Sequence, residues 1–515
     1  MNIPASKNIY LPIAMLAAAV MLIGTSWIGD DAFITLRVID NFVNGFGLRY
    51  NVIERVQVFT HPLWLIFLTP FYSLTREAMV TTMLVSMILS LGALWLMATK
   101  ITRNVEYGSL LVLASVASGS LCNFSTSGLE SPLSYLLLAL FVWQLFRSEK
   151  KWIPAFVAGL IFFNRLDLVI LVGPALAYLL FQSQGNERAK IALVAIFPML
   201  AWMIFSIIYY GAPFPNTAYA KLGTGFSTGM LILRGLEYTK DFVITDPLLA
   251  LIIGKALFDA WYSRNLLSKL LALGIVFYIA YIIVIGGDFM SGRFFAPPGF
   301  LAVCLLARAP VPQWFTEKAK MFALISVVGI VATLLLMRVT GLPSTPIPSD
   351  SIGDERLFYY SDNGFIPVLK RWAETGVEPV HRWGKWGMEL KAEAQRTGMP
   401  VVALEGNTGM TGYYAGTALH NVDEFALTDA FLARLPAIPG ARVGHYQRLI
   451  PPGYAETAPN TFPTTSVIAL RPLLNDVTLA TRAPLFADGR WAAIWRLLSG
   501  HYSWVYDANI SGVGK

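Results

Sequence analysis

Runs of apolar residues unbroken by charge recur along this chain, and they restrict its fold more than any other feature. Residues 8–29 contain no charged side chain. Further uncharged runs lie at about 78–99, 107–129, 131–146, 152–164, 168–186, 191–212, 270–287, 294–307 and 321–337. A weaker run covers about 246–262, interrupted by Lys255 and Asp259, and a shorter one covers 62–75. Crossing a bilayer takes about 20 mostly apolar residues, and inside it the backbone must satisfy its own hydrogen bonds, which makes each span a helix. Composition agrees: 55% of the residues are hydrophobic and 14% charged, against about 25% charged in a soluble domain. The pattern predicts a polytopic α-helical membrane protein. It excludes a disordered chain, a collagen, a coiled coil and a freely soluble enzyme. The first run is long for the core of a signal peptide and is read as a span. Cys122 and Cys304 both lie in apolar runs and read as small core residues, not as a disulfide or a thiolate metal site.

Basic residues orient the spans. Lys100 and Arg103, then Arg147, Lys150 and Lys151, then Arg188 and Lys190, then Arg264 and Lys269, then Lys318 and Lys320 fall in alternate loops, which the positive-inside rule places in the cytoplasm. The opposite loops, around 29–61, 123–130, 164–167, 212–245 and 286–293, are then external. Two full spans at 62–75 and 78–99 would put Lys100 and Arg103 outside, so 62–75 is read as a half-helix or the tilted part of one entry. This gives about eleven transmembrane helices, with the N-terminus inside and the C-terminus outside. Residues 1–340 form the membrane module and 341–515 an external domain, opened by a Pro/Ser-rich linker at 343–349. Short β-rich runs, Val401-Val402-Ala403-Leu404 and Val467-Ile468-Ala469-Leu470, mark that domain as α/β-type. The first leads through Glu405-Gly406-Asn407-Thr408-Gly409 into a candidate helix.

Ionisable residues at membrane edges are costly, so they carry the information about function. Asp30-Asp31 follows the first span directly. Two adjacent carboxylates at the boundary suit general-base or metal work; the same pair also suits the N-cap of a helix through 32–44. Arg37 closes the stretch 29–37, and the next loop holds Gly45, Gly47, Asn51, Glu54, Arg55 and His61 before Pro62. His61 is either an interfacial anchor or a substrate ligand. Other external fragments hold Glu130, Asn164-Arg165-Leu166-Asp167, Asn216 with Lys221, and Asp288 with Arg293. A guanidinium at the external surface matches a lipid phosphate, or it closes the bundle through an internal Arg–Asp pair. Gly444-His445-Tyr446 lies in the C-terminal region. No HExxH, Walker A, GxSxG or zinc spacing occurs, and with five His no metal centre is expected.

A first span ending in Asp-Asp, an external loop, a multi-span bundle and a C-terminal external domain together resemble the GT-C membrane glycosyltransferases. The run Asp30-Asp31-Ala32-Phe33-Ile34 with Arg37, Asn41, Gly45, Gly47, Asn51, Glu54-Arg55-Val56 and Pro62-Leu63-Trp64 is similar to the mycobacterial terminal β-(1→2)-arabinofuranosyltransferase family. So are Gly128-Leu129-Glu130, Pro215 to Lys221, Gly287-Asp288-Phe289-Met290 with Arg293, Gly444-His445-Tyr446, and Pro452-Gly453-Tyr454. The chain departs from that pattern at His61, where Asn is expected, and at Asn164-Arg165-Leu166-Asp167, where Arg-Pro-Asp is more usual.

The resemblance implies a glycosyltransferase that moves a sugar, D-arabinofuranose in that family, from a polyprenyl-phosphate donor to a glycan, lipid or glycoprotein acceptor of the cell envelope. Asp31 or Asp30 would take the acceptor's proton. Arg293, Arg165 and Lys221 would hold the donor phosphate. Arg37, Glu54, Arg55, His61, Glu130, Asn216, Asp288 and His445 would bind substrate, and Trp383, Trp386, Tyr413 and Tyr414 offer faces for stacking on sugars. No nucleic acid partner and no cofactor are expected, although a divalent cation is compatible with the reading. The implied location is a bacterial cytoplasmic membrane, crossed many times, with the C-terminal domain extracytoplasmic. A lipid or polysaccharide transporter is the rival reading; it calls for inverted repeats and charges near the midplane, whereas no repeat is visible and the charges gather at the external edge.

Overall fold

The apolar runs become helices, as backbone self-satisfaction requires. The computed structural model describes residues 9–221, 226–313, 315, 328–329, 332, 352–376, 380–438 and 444–507. Among the described residues three helices are long and apolar enough to cross a membrane: Met79–Ile101, Gly185–Tyr210 and Leu266–Val284. Seven shorter apolar helices accompany them, from Tyr10–Thr25 to Ala296–Arg308. The long helices expose large apolar side chains such as Leu193, Phe197 and Phe277. Apolar surface on all sides of a helix is what a lipid solvent selects. The expected span at 321–337 and the linker at 343–349 lie largely or wholly outside the described residues.

Some sequence expectations hold in the structure and others change. The 62–75 run, read as a half-helix or the tilted part of one entry, forms a separate short helix, Pro62–Thr75, ended by Arg76 in the left-handed region at φ 55°. At about 1.5 Å per residue it is too short to cross the hydrocarbon core unaided. The stretch 212–245, read as an external loop, contains helices Asn216–Ala220 and Thr228–Thr245. The second of these buries Gly235, Tyr238 and Phe242 and exposes Leu233, Leu236 and Ile244, an amphipathic pattern that Arg234, Glu237, Lys240 and Asp241 conceal in a search for uncharged runs. The run 467–470 is no strand: Ile468–Leu470 is a single 3-10 turn with Ile468 exposed to solvent.

The chain forms two compact units whose borders differ from the expected division at 340. The first comprises residues 1–29, 79–198 and 228–379. Several of its helix starts are capped by side chains. Asn104 accepts from the amide of Tyr107 to start the helix Val105–Ala117. Asp246 starts the helix Pro247–Tyr262 by accepting from Leu249, and its other oxygen accepts from the Ser118 hydroxyl and the Ser120 amide. One buried carboxylate thus meets orphan donors of two helices.

The second unit is assembled from residues 30–78, 199–227 and 380–515. Its only strands among the described residues, Val401–Leu404 and Leu419–Val422, pair in parallel with Val401 opposite Leu419. Between them runs the helix Thr408–Ala415, pressed against two others. A side chain at Gly409 would collide with the carbonyl oxygen of Asp30 in the helix Asp30–Val43. One at Gly412 would strike the Tyr50 hydroxyl, and one at Gly387, in the helix Arg382–Thr397, would strike the Thr411 carbonyl. The unit's interior is rich in polar side chains, many of them hydrogen-bonded. Asn51 and the backbone of Asn421 exchange two hydrogen bonds, at 2.9 and 3.0 Å. Glu54 pairs with Arg482 at 2.9 Å. The Arg448 guanidinium donates to the carbonyls of Leu435, Tyr446 and Ala220. Asp423 accepts from the amides of Phe425 and Thr428, and Asp429 from those of Phe431 and Leu432 and from the Tyr454 hydroxyl.

Burial still dominates the ionisation of these groups. It pushes Asp423 up to about 7 against the pull of the Thr428 and Phe425 amides. It raises Asp429 as well, helped by Glu54. Burial also drives His420 down to about 4. A carboxyl raised in this way contributes stability that is full below its unfolded value and lost as pH rises through its folded value; the lowered His420 contributes above its unfolded value and loses it in acid. The melting temperature should therefore fall as pH rises from about 4 to about 7, less steeply below about pH 6.5 where His420 opposes the fall, and the fall should shrink in Asp423→Asn. A flat profile across that window would contradict this account. Gly409→Ala should destabilise the protein by at least about 1–3 kcal/mol, since backbone cannot move aside as a side chain can; thermal unfolding in detergent measures it.

Candidate active site

The acidic pair opens the helix Asp30–Val43. Its two members have different environments. Asp30 is buried, and its oxygens accept from two backbone amides at the start of the helix Thr408–Ala415: Oδ2 from Gly409 at 3.0 Å and Oδ1 from Met410 at 2.7 Å. Asp30 therefore caps a helix, as one sequence reading held, but the helix it caps is remote in the chain and not its own. Burial pushes its carboxyl up to about 7; the Met410 and Gly409 amides oppose that rise and the neighbouring Asp31 adds to it. Asp31 is only half-buried. Helical geometry turns successive side chains about 100° apart, so fixing Asp30 on the amides fixes where Asp31 points.

Most of the expected substrate-binding residues of this unit are bound into its frame. Arg37 is 1% exposed, donates to the carbonyls of Gly416 and Leu419, and lies 4.1 Å over the Tyr50 ring. Glu54 is held below the ordinary carboxylate range because Arg482, His420 and Asn51 together outweigh burial. Arg55 donates to the carbonyls of Tyr209 and Ala483. Asn216 donates to the carbonyls of Ala426, Leu427 and Asp429. His61 is buried, with Nε2 2.9 Å from the Thr35 hydroxyl. His445 packs edge-on against Phe425. Lys221 is exposed and follows the helix Asn216–Ala220. Of the four aromatic candidates, Tyr413 shares a hydrogen bond with Tyr72 and packs on Phe33, and Tyr414 also packs on Phe33. Trp383 lies edge-on to His381. Trp386 is exposed, its indole donating to Glu405.

In the first unit, four of the expected residues meet in one cluster. Arg165 lies between the helices Trp152–Asn164 and Val169–Phe181 and grips Asp167 with two bonds, at 2.8 and 2.9 Å. Its remaining Nη1 donates to Glu130 at 3.0 Å. Arg293 is held more loosely, with Asp288 at 3.4 Å and Glu130 at 3.9 Å. Three carboxylates thus face two guanidiniums. One member escapes a sequence reading: Tyr278 donates to Asp167 at 2.5 Å from within an apolar run. Asn164, from the same fragment as Arg165, bonds the Glu130 carbonyl and the Ser134 hydroxyl. Among the described residues no group of three or more His, Cys, Asp and Glu is arranged to hold a metal ion.

No protein-family profile matches the chain. Two curated proteins are similar to it, both named terminal β-(1→2)-arabinofuranosyltransferase. That of Mycobacterium tuberculosis is 26% identical over 82% of this chain and 81% of its own length. That of Corynebacterium glutamicum is 26% identical over 81% of this chain and 72% of its own length. Among solved structures, ArnT from Cupriavidus metallidurans, bound to undecaprenyl phosphate, aligns over 82% of this chain and 87% of its own at 14% identity, with a TM-score of 0.49. The oligosaccharyltransferase of Archaeoglobus fulgidus, in complex with zinc and sulfate, aligns over 95% and 70% at 11% identity, with a TM-score of 0.47. The sequence likeness runs through most of the chain, and on it the chain is a membrane glycosyltransferase similar to the terminal β-(1→2)-arabinofuranosyltransferases.

Proposed function

We propose that the chain transfers D-arabinofuranose from a polyprenyl-phosphate donor to a cell-envelope glycan or glycoconjugate on the external face of a bacterial cytoplasmic membrane, with its C-terminal region extracytoplasmic. The names of the two curated relatives support the sugar. A lipid-linked donor needs no nucleotide site, in keeping with a sequence without a phosphate-binding loop.

The observation that carries the reading is the division of labour in the acidic pair. Asp30 is consumed by the amides of Gly409 and Met410, which leaves Asp31 as the carboxylate to take the acceptor hydroxyl's proton. That hydroxyl oxygen attacks the anomeric carbon as its bond to the phosphate breaks, through an oxocarbenium-like state. The phosphate leaves with the bonding pair, and a guanidinium stabilises its charge.

For the phosphate, the first unit's cluster separates its two arginines. Arg165 spends all three nitrogens on carboxylates, which suits a positioning role. The looser contacts of Arg293 suit exchange of Asp288 for a phosphate, which a guanidinium grips with two parallel bonds and an ammonium cannot. Exchange, not addition, is required, since the acids already outnumber the bases.

Asp31→Asn is expected to slow transfer by about 10²–10⁴ with an unchanged melting temperature. Asp30→Asn sets a side-chain N–H against a backbone N–H and is expected to cost about 1–3 kcal/mol of stability. Turnover assays and melting curves on both variants check this; near-normal turnover of Asp31→Asn would remove it as the base. Arg293→Lys should raise the donor KM at least about tenfold, the loss of a bidentate contact, while keeping its melting temperature. Arg165→Lys should lose stability, because it breaks a buried ion-pair network. The opposite pattern would make Arg293 structural.

A further inference from the structure

A crevice in the second unit has a composition that neither the proton transfer nor the donor phosphate uses. It is lined by Arg55, Gln57, Asn216, Tyr219, Arg434 and Thr481 among others. Among the described residues no carboxylate lines it. The Arg434 guanidinium lies 5.0 Å over the Tyr219 ring and donates through Nη1 to the Ala430 carbonyl. Arg55 donates through Nε and Nη2 to the carbonyls of Tyr209 and Ala483. These carbonyls hold the two guanidiniums in place without neutralising them.

The charged side chains that line the crevice are both basic, although Asp429 acts on Arg434 from behind the lining. Burial, together with neighbouring Arg490 and Arg49, holds Arg55 down to about 10. Arg490 in turn donates only to the carbonyls of Ala480, Leu485 and Tyr209. The nearby acids are already engaged: Glu54 in its pair with Arg482, and Asp429 on two amides and the Tyr454 hydroxyl. A cleft of one sign between low-dielectric walls concentrates the opposite ion. The neutral polar side chains are structural: Asn216 is spent on three carbonyls, and Gln57 bonds Phe59 and Ser206. The donors left for a ligand are those of the two arginines, Nη1 of Arg55 with Nε and Nη2 of Arg434, whose planar forks match a tetrahedral or planar oxyanion.

We propose that this crevice binds an oxyanion, a phosphate- or carboxylate-bearing group, between the guanidiniums of Arg55 and Arg434. The site stands whichever sugar is transferred. The anion comes either from a soluble glycan substituent or from a lipid headgroup; the chemistry is shared.

The test uses the full-length protein in detergent, with inorganic phosphate titrated against chloride at constant ionic strength. Phosphate is expected to raise the melting temperature saturably, as a ligand of the folded state does. The apparent dissociation constant should weaken at least tenfold in Arg434→Gln, and less in Arg434→Lys, which keeps the charge and loses the fork. Should Arg434→Gln fail to fold, the weakening in Arg434→Lys carries the test alone. In phosphatidylglycerol nanodiscs the phosphate response should vanish if a lipid headgroup already fills the crevice, and persist, as in phosphatidylcholine, if the ligand is soluble. An unsaturable response, or one equal in wild type and both variants, overturns the proposal.

Discussion

The second unit depends on one contact, the Asp30 carboxylate on the amides of Gly409 and Met410. A buried carboxylate is tolerable only when its oxygens are bonded, and two aligned amides at a helix start answer that need. The contact requires the helices to touch, which is why residue 409 has no side chain. Close approach then brings Tyr50 within 2.5 Å of the Thr408 carbonyl and lets Arg37 reach the carbonyls of Gly416 and Leu419. Breaking the Asp30 contact would leave charge and amides unpaired in the interior, a larger cost than the net gain of making it.

Arginine serves three physical purposes here, and the difference lies in the partner. Arg37 and Arg448 join backbone carbonyls and act as cross-links between segments. Arg165 joins carboxylates and holds a charge cluster together. Arg55 and Arg434 are braced by carbonyls, with no carboxylate hydrogen-bonded to either. An arginine in a motif therefore says little about its role until its partners are known.

What was legible in the sequence follows from the range of the forces involved. Apolar runs report local burial, so the helices were readable wherever charge did not interrupt them; Thr228–Thr245 was hidden because its polar face breaks the run. The strand Val401–Leu404 was readable from β-branched residues, whereas its partner Leu419–Val422 carries His420 and Asn421 and is a strand because neighbours bury it. The acidic pair stood out, but which member was structural depended on amides 379 residues away, and no local pattern records that. Likewise Arg37, Glu54, Arg55 and Asn216 were visible as unusual residues in a membrane protein, while their use as internal fasteners lies in contacts with distant carbonyls and with Arg482.

That the second unit is drawn from three separated stretches, 30–78, 199–227 and 380–515, bears on how the protein is made. The first stretch leaves the ribosome early, yet the amides that receive Asp30 are synthesised 379 residues later. At roughly 5–20 residues per second that interval is roughly 20–80 s. Throughout it, Asp30, Arg37 and Tyr50 have none of their final partners from the C-terminal stretch and must stay hydrated. The nascent chain thus carries an unfinished polar half while its apolar helices are already being inserted, and a truncated product lacking the last stretch would present that half to the quality-control proteases of the membrane surface.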